Sequence, residues 1–138
     1  MNIKIILEGK IREPYFKLGV DEFKKRLLNR VEVLEVSDIY EYIKNKTSAY
    51  IITLEIEGKM LDSVEFAHKI REIETQGIAN EILFLIGGAE GLTPQVRSMS
   101  DFKFSMSKLT FLHQEATFIL IEQIYRAFRI LNNEPYHK

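Results

Sequence analysis

Cysteine is absent from the 138 residues, which excludes disulfides, thiolate metal sites and a cysteine nucleophile. A chain without thiol cross-links fits a reducing compartment. Histidine is scarce: His68, His113 and His137 lie too far apart for metal-ligand spacing, and no H-E-x-x-H pattern occurs. No metal site is therefore expected. Long apolar runs are missing as well. The run near Phe118 to Ile121 is stopped by Glu122-Gln123, far short of the ~20 residues a membrane span requires. The first ten residues carry Lys4 and Glu8, too much charge over too short a stretch for a signal peptide. These absences point to a soluble, cytoplasmic protein with no membrane partner.

A large excess of either charge is also lacking: the net charge is −1, which argues against a general nucleic-acid binder. The distribution says more than the total. Residues 1–30 hold eight basic side chains, Lys4, Lys10, Arg12, Lys17, Lys24, Lys25, Arg26 and Arg30, against four acids. That segment is +4 and the remainder −5. A local basic face steers a phosphate backbone even on a near-neutral protein; the same residues also read as an ordinary solvated helix face.

Hydrophobic residues make up 46% and charged residues 28%, enough to build one core in one domain. Ile3, Ile5, Ile6 and Leu7 form a strand ending at Gly9. Pro14 opens a helix to Leu28 with Phe16, Val20, Phe23 and Leu27 at helical spacing. Residues 31–36 are a second strand, 38–45 a short helix, and Tyr50 to Ile56 a third strand. Asp62 with Glu65 makes a helix-start box for a helix carrying Val64, Ala67, Ile70 and Ile73 inward and stopping near Gly77. Ile82 to Ile86 is continuously apolar, as in a parallel strand covered on both faces. Thr93-Pro94 caps another helix start, and Phe102 to Phe104 is a short strand. The last helix, about Leu112 to Leu131, is apolar on nearly all sides and so must be buried all round, most simply by a partner subunit. Strands alternating with helices give a single α/β domain over 1–138, with a mostly parallel sheet and helices on both faces.

In open α/β sheets ligands bind beyond the carboxyl ends of the strands. Three such ends are unusual here: Thr53-Leu54-Glu55, Gly87-Gly88-Ala89-Glu90-Gly91-Leu92, and Ser105-Met106-Ser107-Lys108-Leu109-Thr110-Phe111. The glycine loop is G-G-x-x-G, neither a dinucleotide fingerprint nor a P-loop, and by itself reads as a tight turn or a site.

Together with Gly9-Lys10 through Leu27 and the C-terminal run Glu122-Gln123-Ile124-Tyr125-Arg126-Ala127-Phe128 to Glu134-Pro135-Tyr136-His137-Lys138, these segments resemble the RlmH family of SPOUT methyltransferases over nearly the whole chain. Members methylate N3 of a pseudouridine in large-subunit (23S) ribosomal RNA, using S-adenosylmethionine. The resemblance implies a C-terminal deep trefoil knot, although knots are all but absent from ordinary folds. It implies cofactor contacts at Leu54, Gly87, Met106, Ser107, Lys108, Leu109, Thr110 and Phe111. It further implies a homodimer packed through the last helices, with Tyr136, His137 and Lys138 serving the substrate at the partner's site, and assembled ribosomes as the setting.

The chemistry suits these residues. Methyl transfer from a sulfonium is an in-line displacement that chiefly requires positioning. Leu54, Leu109 and Phe111 offer an apolar slot for an adenine-type ligand. The imide nitrogen must lose a proton, and His137, with Tyr136 beside it, and Glu90 are the candidates near that step. His113 reads as a structural hydrogen-bonder. Arg126 and Arg129 read equally as helix-end dipole partners or RNA contacts. Three features depart from the family pattern: Leu112 where many members have proline, Thr117 in a region where they carry arginine, and a shorter stretch around Ser37 to Ser48. Two other readings compete, a knotted ribosome-associated dimer without turnover and an unrelated flavodoxin-like or nucleotide-binding module. Within the favoured one, a different RNA position stays open.

Overall fold

The computed structural model describes residues 1–138. Its elements alternate: β1 (Asn2–Glu8), α1 (Pro14–Arg26), β2 (Val31–Val36), α2 (Ile39–Ile43), β3 (Ala49–Met60), α3 (Ser63–Gln76), β4 (Glu81–Ile86), α4 (Pro94–Arg97), β5 (Phe102–Ser105) and α5 (His113–Leu131). The five strands form one sheet in the order β2-β1-β4-β3-β5, and every pairing is parallel. The expected mostly parallel sheet is thus wholly parallel.

The apolar run Ile82 to Ile86 becomes the central strand because no other segment lacks a polar face. Ile82, Phe84 and Ile86 join a core under α1, α3 and α5, while Leu83 and Leu85 join a second core with α2 and α4. Each such fully buried side chain contributes about 1.5–3 kcal/mol.

Local sequence rules account for the helix ends. The Asp62–Glu65 capping box forms as expected, and α3 stops at Gly77, whose φ of 64° is left-handed. Thr93 caps α4 through the Val96 amide, with Pro94 in the first turn. Within α3 the expected inward Val64 is 38% exposed and Phe66 is buried instead. Val64 sits in the first turn, and the aromatic ring two residues on stacks against Phe104 at 5.2 Å.

β3 runs past Ile56 to Met60. Its pairing with β5 shifts between Leu54 and Lys59, so residues 55–58 bulge from the ladder. Gly58 lets the strand return: a Cβ there would lie 2.7 Å from the Lys103 carbonyl.

α5 lies over β1 and β4 with α1 on one flank and α3 on the other. Phe118 occupies the space above Gly19 that a side chain there would fill, and Tyr125 meets Phe23 at 5.6 Å. Its own chain thus buries one face of this helix, through Ala116, Leu120, Ile121, Ile124 and Ala127, and leaves Phe118, Ile119, Tyr125, Phe128, Ile130 and Leu131 half-buried, so burial all round is not reached within one chain. No helix is long and apolar enough to cross a membrane.

Candidate active site

Because β4, β3 and β5 are parallel neighbours, their carboxyl ends open on one edge of the sheet. There the chain encloses a cleft of about 530 Å³, within the ~300–1,000 Å³ usual for small-molecule sites. Leu54 and Glu55 line it from β3, Gly87 to Ala89 with Gly91 and Leu92 from the loop after β4, and Ser105, Met106, Ser107, Leu109, Thr110 and Phe111 from the loop after β5. Leu112, His113 and Ala116 close it at the start of α5. All of the residues expected around a cofactor come together except Lys108, which is exposed and outside the lining. Glu90 also lies outside it, on the exposed face of its loop.

The glycine loop is a tight turn and a wall of the cleft at once. Gly91 N–H donates to Gly88 O at 2.9 Å, and Gly91 takes φ 75°. A Cβ on Gly87 would come within 2.6 Å of Leu92 N and nearer still to the Gly91 carbonyl carbon. Gly87 is thus required by closure of the turn itself, a constraint that strand-end reasoning assigns to a ligand's approach.

The loop after β5 is held from within: Ser105 Oγ donates to Ser107 O (3.0 Å), and Leu109 N–H to Ser107 Oγ (2.9 Å). The buried Gln114 ties the start of α5 to the basic loop after β1, its Oε1 accepting from Arg12 N–H (2.9 Å) and Glu13 N–H (3.0 Å). His113 Nε2 lies 3.2 Å from Lys10 O, the structural role expected of it. Thr117 is fully buried and donates to His113 O, so this position presents nothing to RNA.

Sequence reasoning names Glu55 only as part of the strand end Thr53-Leu54-Glu55 and gives it no place among the cofactor contacts. Neighbouring residues of a regular strand face opposite ways, so Leu54 and Glu55 are not expected in one pocket. The bulge re-aims the chain and puts both there.

Tyr136, His137 and Lys138 do not line the cleft of their own chain. Tyr136 stands edge-on to Tyr125 at 4.8 Å and donates to Glu122 Oε2 at 2.8 Å. Burial, and then the Glu122 carboxylate, raise its hydroxyl above the usual tyrosine value and keep it a donor. The same carboxylate receives Arg126 Nε and Nη2, and Arg126 Nη1 lies 3.1 Å from His137 Nδ1. The tail is therefore anchored on α5, where a frayed end is the usual expectation; Lys138 remains exposed.

The fold and cleft are those of a methyltransferase. A family model described as "Predicted SPOUT methyltransferase" matches residues 1–137, and the chain belongs to that family, whose methyl donor is S-adenosylmethionine. At closer range, it is 45% identical to a Finegoldia magna protein named "Ribosomal RNA large subunit methyltransferase H", over 160 aligned positions covering all of both chains. With 138 residues against 160 positions, the relative carries segments this chain lacks. Among solved structures, a probable methylase family protein from Haemophilus influenzae shares the fold (TM-score 0.60, 13% identity, 99% of this chain and 70% of that one). So does the SpoU methyltransferase AviRb from Streptomyces viridochromogenes, solved with AdoMet (TM-score 0.52, 12% identity, 94% and 58%).

The residues present fit that cofactor. The cleft is predominantly apolar, with hydroxyls from Ser105, Ser107 and Thr110 and one carboxylate, Glu55, on its wall, a lining that suits an adenosyl group carrying a sulfonium.

Proposed function

We propose that this chain, a single domain over 1–138, methylates N3 of a pseudouridine in large-subunit ribosomal RNA. The observation that carries the reading is the apolar cleft at the carboxyl ends of β3, β4 and β5, in a chain 45% identical along its full length to a large-subunit rRNA methyltransferase H. Leu54, Gly87, Met106, Ser107, Leu109, Thr110 and Phe111 surround the cofactor, and Lys108 belongs with them through its backbone. S-adenosylmethionine supplies an electrophilic methyl on a sulfonium. The chain's residues hold the nucleoside in line, exclude water and help the imide nitrogen shed its proton.

Tyr136, His137 and Lys138 are assigned to the nucleoside and its phosphates. Unpaired bases are recognised by stacking and edge hydrogen bonds, and phosphates by cations. In one subunit they sit on α5 away from the cleft, so they act at the partner's site in a two-fold homodimer packed through α5. The half-buried Phe118 and Ile119, with the exposed Leu112 and Tyr15 nearby in the fold's α1–α5 layer, supply apolar surface for that contact. Lys10 and Arg12, pinned beside the cleft by Gln114 and His113, meet the RNA backbone. The return of α5 from the edge strand β5 to the middle of the sheet is the path on which we place the trefoil knot. The setting is the cytoplasm, on assembled ribosomes.

Mass spectrometry of ribosomal RNA nucleosides from cells with and without the gene tests the function. Loss of one methylated pseudouridine is expected; an unchanged profile, or loss of a different nucleoside, overturns it. Sedimentation equilibrium at micromolar concentration tests the dimer, which a stable monomer contradicts.

A further inference from the structure

Among the side chains lining the cleft, Glu55 is the one that carries a full charge, and no lysine or arginine lines it. It is also held in place. Thr53 Oγ1, fully buried, donates to Glu55 Oε2 at 2.5 Å and shares a hydrogen bond with Ser100 Oγ at 2.7 Å. The other carboxylate oxygen has no donor from the chain. Glu55 is part-buried, so this oxygen is a pre-oriented acceptor on the wall of the cleft, open to a donor from a bound ligand.

We propose that Glu55 accepts the ribose hydroxyls of the nucleoside cofactor and so selects for a vicinal diol; this rests on the cofactor reading above. Three chemistries on such a cofactor attract a carboxylate: the sulfonium, the ammonium of the amino-acid end, and the diol. The sulfonium has no N–H or O–H to fill an acceptor. The amino-acid end is a zwitterion, and a cleft whose one fixed charge is negative repels its carboxylate as much as it draws its ammonium. The diol is neutral and all donor towards an acid, and charge-assisted O–H···O⁻ bonds are about twice as strong as neutral ones. Acceptance of ribose hydroxyls by an acid at a strand end is a known solution in other α/β folds.

Calorimetry on the full-length protein tests this without turnover. The wild type should bind S-adenosylhomocysteine and 5′-methylthioadenosine, and should prefer adenosine to 2′,3′-dideoxyadenosine. Glu55→Gln should weaken both thioether ligands about tenfold, the loss of one charge-assisted bond, and erase the preference for the diol. Thr53→Val, which removes the orienting donor, should shift affinity the same way by less. A wild type indifferent to the diol overturns the proposal without recourse to any variant. So does a Glu55→Gln protein of unaltered melting temperature and unaltered affinity. A loss confined to S-adenosylhomocysteine, sparing methylthioadenosine, would move Glu55 to the amino-acid end and equally sink it. If the wild type binds neither thioether, the cofactor reading falls first and this inference with it.

Discussion

The two ends of the sheet handle charge in opposite ways. At the amino end, Glu81 opens β4 between Lys4 Nζ (3.2 Å) and Lys46 Nζ (3.1 Å). Burial pushes its carboxyl up, but hydrogen bonds from Lys46 and then Lys4 outweigh that and hold it below the usual range. At the carboxyl end, Glu55 has a hydroxyl and no cation. Both acids flank apolar strands, so burial alone does not separate them. Where the chain answers its own charge the contact serves the fold, and where it leaves an acceptor open the contact awaits a ligand.

The harshest way to break the ligand end is Gly87→Val. The branched side chain would meet the Gly91–Leu92 backbone, which has no flexible end to move aside. We expect a destabilisation of about 2–4 kcal/mol, as for overpacking and backbone strain combined. S-adenosylhomocysteine binding should also vanish by calorimetry. A variant that melts like the wild type would show that the turn can reopen.

The tail tests the contrast from the other side, because Tyr136 and His137 are partnered within their own chain and yet assigned to substrate. Deleting Tyr136 to Lys138 should cut methylation of ribosomes at least a hundredfold if the tail both positions the base and aids deprotonation. Cofactor affinity, measured by calorimetry, should hold, since these residues lie outside the cleft. Heterodimers with a cofactor-site mutant should regain one working site. No rescue in confirmed heterodimers would confine the tail to its own subunit.

At the amino end the expected effects are smaller and depend on pH. With a folded-state carboxyl held low, Glu81 contributes stability that is present above its usual value near 4.5 and is lost as pH falls through the lower folded value. Glu81→Gln should cost about 1 kcal/mol at pH 7. In chemical denaturation the variant should lose less stability than the wild type between pH 5 and about 3. Parallel pH profiles for the two proteins would remove Glu81 from the acid transition.

Much of this contrast is written in the sequence, and the reasons for the rest are local. The continuous apolar run at Ile82, the Asp62–Glu65 box and Pro94 after Thr93 are short-range signals, and each element forms where they place it. The strand ends that build the cleft were legible because a parallel sheet brings them together. The place of Glu55 in that cleft was not, because alternation puts it opposite Leu54 and only the bulge, visible in the pairing with β5, reverses that. The anchoring of Tyr136 was hidden too. Its partners Glu122 and Tyr125 lie on the preceding helix, and a chain that doubles back over its last turns leaves no periodic trace.

The smallest expected effect concerns Leu112, where the resemblance would place proline. Leu112 is the N-cap of α5 at φ −59°, a value proline's ring adopts without strain. Proline there removes one N–H, which donates to Glu115 Oε1 over a long 3.3 Å at an exposed site, a loss of about 0.5 kcal/mol. Against it stands the lower entropy of the unfolded chain, worth about 0.4–1 kcal/mol where the native backbone already suits proline. The side chain exchanged is 59% exposed, so little packing is lost within the chain. Leu112→Pro should therefore leave the melting temperature within about 4 °C of the wild type and leave S-adenosylhomocysteine affinity intact. A large destabilisation would mean that the capping bond to Glu115 holds this wall of the cleft. A change confined to the monomer–dimer equilibrium would support the placement of the exposed Leu112 at the proposed subunit contact.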